Sequence, residues 1–208
     1  MILTYHGAHA LKIQQGQTTI AVNPTSANSK VKTSRFGADI VLESSSHADT
    51  AGGPDMNAGA KEPFIINSPG EYERDGLFIR AFGSETTYGG SSLRNVVFYF
   101  TFEEISFLIL GLHEEGVLAS TITEEIDEVD VLITPIAGEG VLDPVAAHKL
   151  AVKFEPGIIV PTGYADLKDQ NLRTFLDEGD MALAAEDKLT FKQKDLETLP
   201  SIVVLKQQ

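Results

Sequence analysis

Between residues 129 and 161 the chain reads VDVLITPI, then LDPVAAHKLAVKFE, then GIIVP: a short apolar run, a capped helical stretch and a second apolar run. Asp143 stands at the N-cap and Pro144 at the first helical position, where its fixed φ suits the helix and its missing N–H costs nothing. A strand, a helix over 142–155 and a returning strand make a βαβ unit, whose crossover is expected to be right-handed. That pattern commits the C-terminal half to an α/β arrangement with parallel strands.

The other half is strand-rich. ILTYH (2–6), HALKIQ (9–14) and TTIAVN (18–23) read as a β-meander, and ADIVLES (38–44) as a buried strand. FIINSPGEYERDGLFIRAF (64–82) reads as a second meander, with RDG supplying positive-φ residues for a tight hairpin. After a Gly/Ser-rich loop at 83–92, residues 95–112 form two strands hinged at Glu103–Glu104. Residues 169–179 read as a helix closed by Gly179, and KLTFKQ and SIVVLK as closing strands. Each half is a run of strands followed by a helix-containing unit, with no linker between them. The expectation is one domain over 1–208, mixed α/β (α+β) in class.

Composition removes several functions. The formal charge of −14 opposes binding to phosphate backbones, and Lys30, Lys32, Arg35 and Lys61 are too scattered to make a basic footprint, so no nucleic-acid partner is expected. The longest apolar runs, such as SFLILGL (106–112), fall far short of the roughly 18 residues a bilayer span needs, so no membrane partner is expected. No export signal is read at the start, which makes the cytoplasm the expected location of this acidic protein. The absence of cysteine leaves His, Asp and Glu as the metal ligands available.

The chemistry-bearing stretch is SSSHADT (44–50), the exit from the strand at 38–44. It lies among phrases that resemble the metallo-β-lactamase superfamily, specifically short hydrolases similar to L-ascorbate-6-phosphate lactonase. LTYHGAH (3–9) resembles the family's amino-terminal ITYLGHS, Asn23-Pro24 its DP, SPGEYERDG (68–76) its PGEYE hairpin, LILGL (108–112) its HLGDL, VDVLITPIAG (129–138) its vDvLliPvGG and PGIIVPTGY (156–164) its PkiiIPmHY. The resemblance covers nearly the whole chain. It implies a four-layer αββα sandwich, two mixed sheets face to face with helices outside. It also implies a hydrolase in which a metal-bound water becomes the nucleophile.

Laid on the family's His-x-His-x-Asp-His motif, this chain has Ser45, Ser46, His47, Ala48, Asp49 and Thr50. Further ligand or ligand-orienting positions carry Ala8, Asn23, Leu112 and Gly163. The resemblance gives His47 to one metal and Asp49 to the other, so neither site retains more than one motif ligand, against about four donors for a tetrahedral zinc. The expectation is therefore a remnant pocket without metal, in a protein with a binding or assembly role, open to a small anionic ligand or to homo-oligomers. The alternative is zinc or manganese held by His47 and Asp49 with His9 or His113, in an active hydrolase of a small ester, lactone or phosphorylated metabolite. One-residue displacement along a strand turns a side chain to the opposite face, which counts against His9 replacing position 8 and His113 replacing position 112. His148 reads as structural or solvent-facing, Glu71 and Tyr72 as hairpin-fixing, and Glu124, Glu125, Asp127, Glu128 and Asp130 as a solvated segment. SSSH shows no nucleophile-elbow pattern for a Ser–His pair.

Overall fold

The computed structural model describes residues 1–31, 33–57 and 62–208. Lys32, Lys61 and residues 58–60 of the glycine-punctuated loop lie outside the described residues. Strands β1 (Ile2–Gly7), β2 (Ala10–Gln15) and β3 (Thr18–Val22) form the expected antiparallel meander, and β4 (Ile40–Leu42) and β5 (Phe64–Ile66) add to it in parallel. In the second sheet, β6 (Gly70–Arg74), β7 (Leu77–Thr86), β8 (Leu93–Phe102) and β9 (Ile105–Ile109) run antiparallel. After a single helical turn, α1 (Ser120–Thr123), come β10 (Val131–Pro135), helix α2 (Pro144–Ala151) and β11 (Ile158–Thr162), with β9, β10 and β11 parallel. Helix α3 (Gln170–Glu178), β12 (Ala185–Glu186), β13 (Leu189–Thr190) and β14 (Val204–Leu205) complete the chain.

The result is two six-stranded sheets, ordered β13-β1-β2-β3-β4-β5 and β11-β10-β9-β8-β7-β6, with a small parallel β12–β14 pair beside them. Each sheet passes from antiparallel to parallel strands, so the two halves match in plan as well as in sequence style. Alternation fills the space between the sheets: Leu3, Tyr5, Leu11, Ile13, Ile20 and Val22 from the first share one buried cluster with Phe98, Phe100, Phe107 and Ile109 from the second. Phe100 and Phe107 stack with centroids 5.2 Å apart. The opposite face of the first sheet buries Ala21 and Val41 under Ala38 and Met56, in a separate small cluster. Its cover is turns, including a 3₁₀ turn at Gly53–Asp55, whereas α2 packs on β10 and against α3. The molecule is thus the expected mixed sandwich of two sheets, with helices concentrated outside the second. Among the described residues, no helix is long and apolar enough to cross a membrane.

Several sequence expectations change. Residues 64–66 join the first sheet rather than opening the second meander: Pro69 cannot donate to a ladder, so the chain breaks there and changes sheets. Strand β7 runs on to Thr86, pairing Thr86 with Leu93, which shortens the Gly/Ser loop to residues 87–92. The closing SIVVLK supplies only Val204 and Leu205 to a named strand, in the small pair with β12. Helix 142–155 ends at Ala151, followed by a 3₁₀ turn over Val152–Phe154, with Asp143 capping as expected by accepting from Ala146 N–H. Asp130 belongs to no solvated segment: it is buried and accepts from the backbone and hydroxyl of Ser106 at 2.8 and 3.0 Å, joining β10 to β9.

The β8–β9 hairpin turns through Glu103 (φ +50°) and Glu104 (φ +66°), two non-glycine residues in the left-handed region. That conformation costs an L-residue roughly 1–2 kcal/mol, partly offset by the lower unfolded-state entropy of a non-glycine chain. Glu104→Gly is therefore expected to stabilise the protein by about 0.5–1 kcal/mol, seen as a higher urea midpoint at unchanged slope.

Candidate functional site

Ala8 leaves β1, Asn23 leaves β3, residues 43–53 leave β4, residues 110–113 leave β9 and Gly163 leaves β11. These positions all lie at strand ends, and most of the candidate side chains are engaged in closing the structure. The Ala8 carbonyl accepts from Gly163 N–H at 2.7 Å and from the Tyr5 hydroxyl at 2.8 Å. Asn23, at φ +47°, accepts the Ser44 N–H on its side-chain oxygen at 2.8 Å and so fixes the exit of β4. Ser45 and Thr50 bond each other through their hydroxyls at 2.9 Å, while Ser45 Oγ accepts His47 N–H at 3.0 Å. No Ser45–imidazole bond forms there, so SSSH is a turn network and not a Ser–His pair. Leu112 is fully buried, and its N–H donates to Asn95 Oδ1 at 2.7 Å.

Three of the remaining candidates, His9, His47 and Asp49, do converge, and they converge on a residue with no sequence motif of its own. Tyr88 sits on the turn after β7. Its ring lies nearly perpendicular to those of His47 and His9, with centroids 4.8 and 5.5 Å away, and its hydroxyl donates to Asp49 Oδ2 at 3.0 Å. Ser29, from the 24–34 loop, donates to Asp49 Oδ1 at 2.5 Å. The Tyr88 turn is built for this placement. Thr86 Oγ1 donates to Gly140 O at 2.5 Å and accepts Tyr88 N–H, and the half-buried Glu114 carboxylate accepts the Thr87 N–H and hydroxyl at 2.7 and 2.8 Å. Gly140 permits the approach, since a Cβ there would lie 2.4 Å from Tyr88 N at φ +93°. The sequence signal was a lone aromatic in the polar run TTYGGSS.

Charge at the site is set by burial. His9 is buried, and desolvation brings its pKa down to about 4, against a smaller upward pull from Asp49 and a further lowering by His47. At neutral pH the imidazole is uncharged, with Nδ1 3.3 Å from Thr162 Oγ1. Tyr88 stays a phenol: burial first, then the Asp49 carboxylate, drive its pKa well above the usual tyrosine value. His47 Nδ1 accepts Asp49 N–H at 3.2 Å, so this nitrogen carries no proton in that arrangement and its 3.6 Å approach to Asp49 Oδ2 is not an ion pair.

His113 does not join the group. Its Nε2 donates to Val117 O at 3.1 Å and its Nδ1 faces Ser84 Oγ at 3.2 Å, while Asn95 Nδ2 donates to that same hydroxyl. Both ring nitrogens are engaged, and burial lowers its pKa. Gly163 lies so close to His9 that a Cβ there would meet Cε1 at 2.7 Å, and its φ is +86°, so an imidazole at position 163 and His9 in its present place exclude each other. Among the described residues no group of three or more His, Asp or Glu side chains is arranged to hold a metal ion. His148 packs edge-on against Phe175 between α2 and α3, and Tyr72 bonds Ser68, both structural as expected.

A family model described as the β-lactamase superfamily domain matches residues 2–163. The chain belongs to this superfamily. A crystal structure of a metallo-β-lactamase superfamily protein from Thermotoga maritima, a candidate Zn-dependent hydrolase, is similar at 26% identity and a TM-score of 0.72, covering 100% of this chain and 99% of that one. Igni18, a metallo hydrolase from Ignicoccus hospitalis, is similar at 17% identity and a TM-score of 0.62, over 92% of this chain and 99% of its own. An isothiocyanate hydrolase from Delia radicum gut bacteria is similar at 15% identity and a TM-score of 0.61, over the same shares. The last two speak for the fold alone. Among curated proteins no match is found. Superfamily membership thus accounts for the sandwich and for the strand-end position of the site, while function rests on the side chains there.

Proposed function

We propose that this β-lactamase superfamily member has lost metal-assisted hydrolysis and works as a binding or assembly module, a single domain over 1–208 related to the lactonase-like hydrolases by descent rather than by activity. The observation that carries the reading is Tyr88, whose ring packs on His9 and His47 and whose hydroxyl rests on Asp49. A catalytic zinc needs about three protein donors and an open position for water. Ala8, Leu112 and Gly163 offer no side-chain donor, and Asn23, Ser45 and Thr50 bond the loop itself. The donors that remain have a phenol among them, so the residues present do not fit the metal.

Nor is an anion the ligand this geometry favours. With His9 neutral, the Asp49 carboxylate sets the local sign, and it asks for a hydrogen-bond donor. The convergence of His9, His47 and Asp49 supports a second reading, a single zinc or manganese ion admitted once Tyr88 moves, in a hydrolase of small esters, lactones or phosphorylated metabolites. The test is turnover. Protein supplied with trace zinc or manganese should hydrolyse ester, lactone and phosphodiester substrates no faster than buffer, and His47→Ala should leave that background unchanged. Metal-dependent turnover that His47→Ala abolishes would establish the second reading instead.

A further inference from the structure

We propose that Tyr88 is a displaceable internal occupant and that the pocket it fills binds a small hydroxylated aromatic ring. The inference rests on the proposed reading of that site as metal-free. Three observations support it. The Tyr88 contacts define a recognition geometry: two imidazole rings nearly perpendicular to a flat phenol ring, and a carboxylate oxygen receiving its hydroxyl proton. Edge-to-face packing of that kind suits an aromatic guest, and a carboxylate accepts only from a donor.

The segment that delivers Tyr88 is a surface turn anchored at Thr86 and Thr87. Thr87 and residues 89–92 are exposed, Tyr88 alone turns inward, and the carboxylate gripping Thr87 belongs to the half-buried Glu114. Gly89 and Gly90, both at positive φ, follow directly and can absorb a change of backbone direction. Departure of the ring also leaves Asp49 partly satisfied, because Ser29 keeps its bond to Oδ1 while Oδ2 becomes the open acceptor. A ligand entering there takes over the tyrosine's own hydrogen bond, and its apparent affinity is reduced by the fraction of molecules whose turn is closed.

The probe is p-cresol, the tyrosine side chain as a free molecule, with toluene as the same ring lacking the hydroxyl. Calorimetry on chelator-treated protein should show Tyr88→Ala binding p-cresol about tenfold or more tighter than toluene, the ratio expected for a hydrogen bond to a charged acceptor. Adding Asp49→Ala should erase that preference. Glu114→Ala, which frees Thr87, should bind p-cresol more tightly than the unmodified chain. A folded Tyr88→Ala protein that binds neither probe, or both alike, would overturn the proposal. So would equal p-cresol binding by Glu114→Ala and the unmodified chain, a comparison that decides the matter even if Tyr88→Ala does not fold. Metal content measured before chelation tests the underlying reading separately: a metal-bearing protein would refute that reading, whereas a metal-free protein without hydroxyl preference would refute this one.

Discussion

Asn95→Ala is expected to destabilise the protein by about 2 kcal/mol, read as a fall in the urea midpoint with little change in slope. Asn95 is fully buried and its amide is used on both sides: Oδ1 accepts Leu112 N–H at 2.7 Å, and Nδ2 donates to Leu110 O at 3.0 Å and Ser84 Oγ at 2.9 Å. Alanine removes these bonds and strands the buried Leu112 N–H in the segment after β9, while the Leu110 carbonyl keeps the His113 N–H at 3.2 Å. Such an orphan costs roughly 1–3 kcal/mol, more than the net worth of the bond itself. The effect should spread to His113, because Ser84 Oγ is shared between Asn95 and that imidazole. A loss below about 1 kcal/mol would mean that water replaces the amide, and that the segment carrying Leu112 is not clamped as described.

The second large effect is a loss of stability in mild acid. Burial holds His9 at about 4, below its ordinary value of 6.5, so the folded state resists a proton that the unfolded chain accepts. Between these two values the unfolded state binds more protons, so stability rises with pH; it is fully present above the unfolded pKa and is lost as pH falls toward the folded one. The difference of about 2.5 units is worth about 3 kcal/mol at 1.36 kcal/mol per unit. His6, also lowered to about 4 by burial and then by Lys12, acts in the same direction. Urea denaturation at pH 7 and pH 4 should show His9→Gln losing less stability than the parent by about 3 kcal/mol. Equal losses in both proteins would show that His9 is not held neutral.

How far the fold could be read ahead followed the kind of signal each segment carries. The Asp143-Pro144 start of α2 and the Asp75-Gly76 hairpin are local, set by residues whose own backbone preferences decide the outcome, and both are found where expected. The sheet to which Phe64–Ile66 belongs is not local: nothing in three apolar residues says whether they pair with β4 or with β6, and only tertiary packing decides. Asp130 was misplaced for a related reason, since its acidic neighbours look solvated and its burial depends on Ser106 one strand away.

At the site, the positions Ala8, Asn23, Ser45, Thr50, Leu112 and Gly163 were legible because they sit on strand ends that the motif phrases mark. What they do was not. Ser45 and Thr50 close a local turn on each other, and the rest contribute to closing contacts whose partners are distant in the chain, as Gly163 does with Ala8 and Leu112 with Asn95. Tyr88 was invisible for the same reason, a single aromatic in a Gly/Ser turn whose meaning lies in Asp49, 39 residues away.

The central claim, that this superfamily member holds no catalytic metal, is tested most directly by the metal content of protein purified without chelator and dialysed against trace zinc or manganese. The account predicts near-zero metal per chain, with no rise in melting temperature on adding either ion. Near-stoichiometric metal that His47→Ala removes would contradict it.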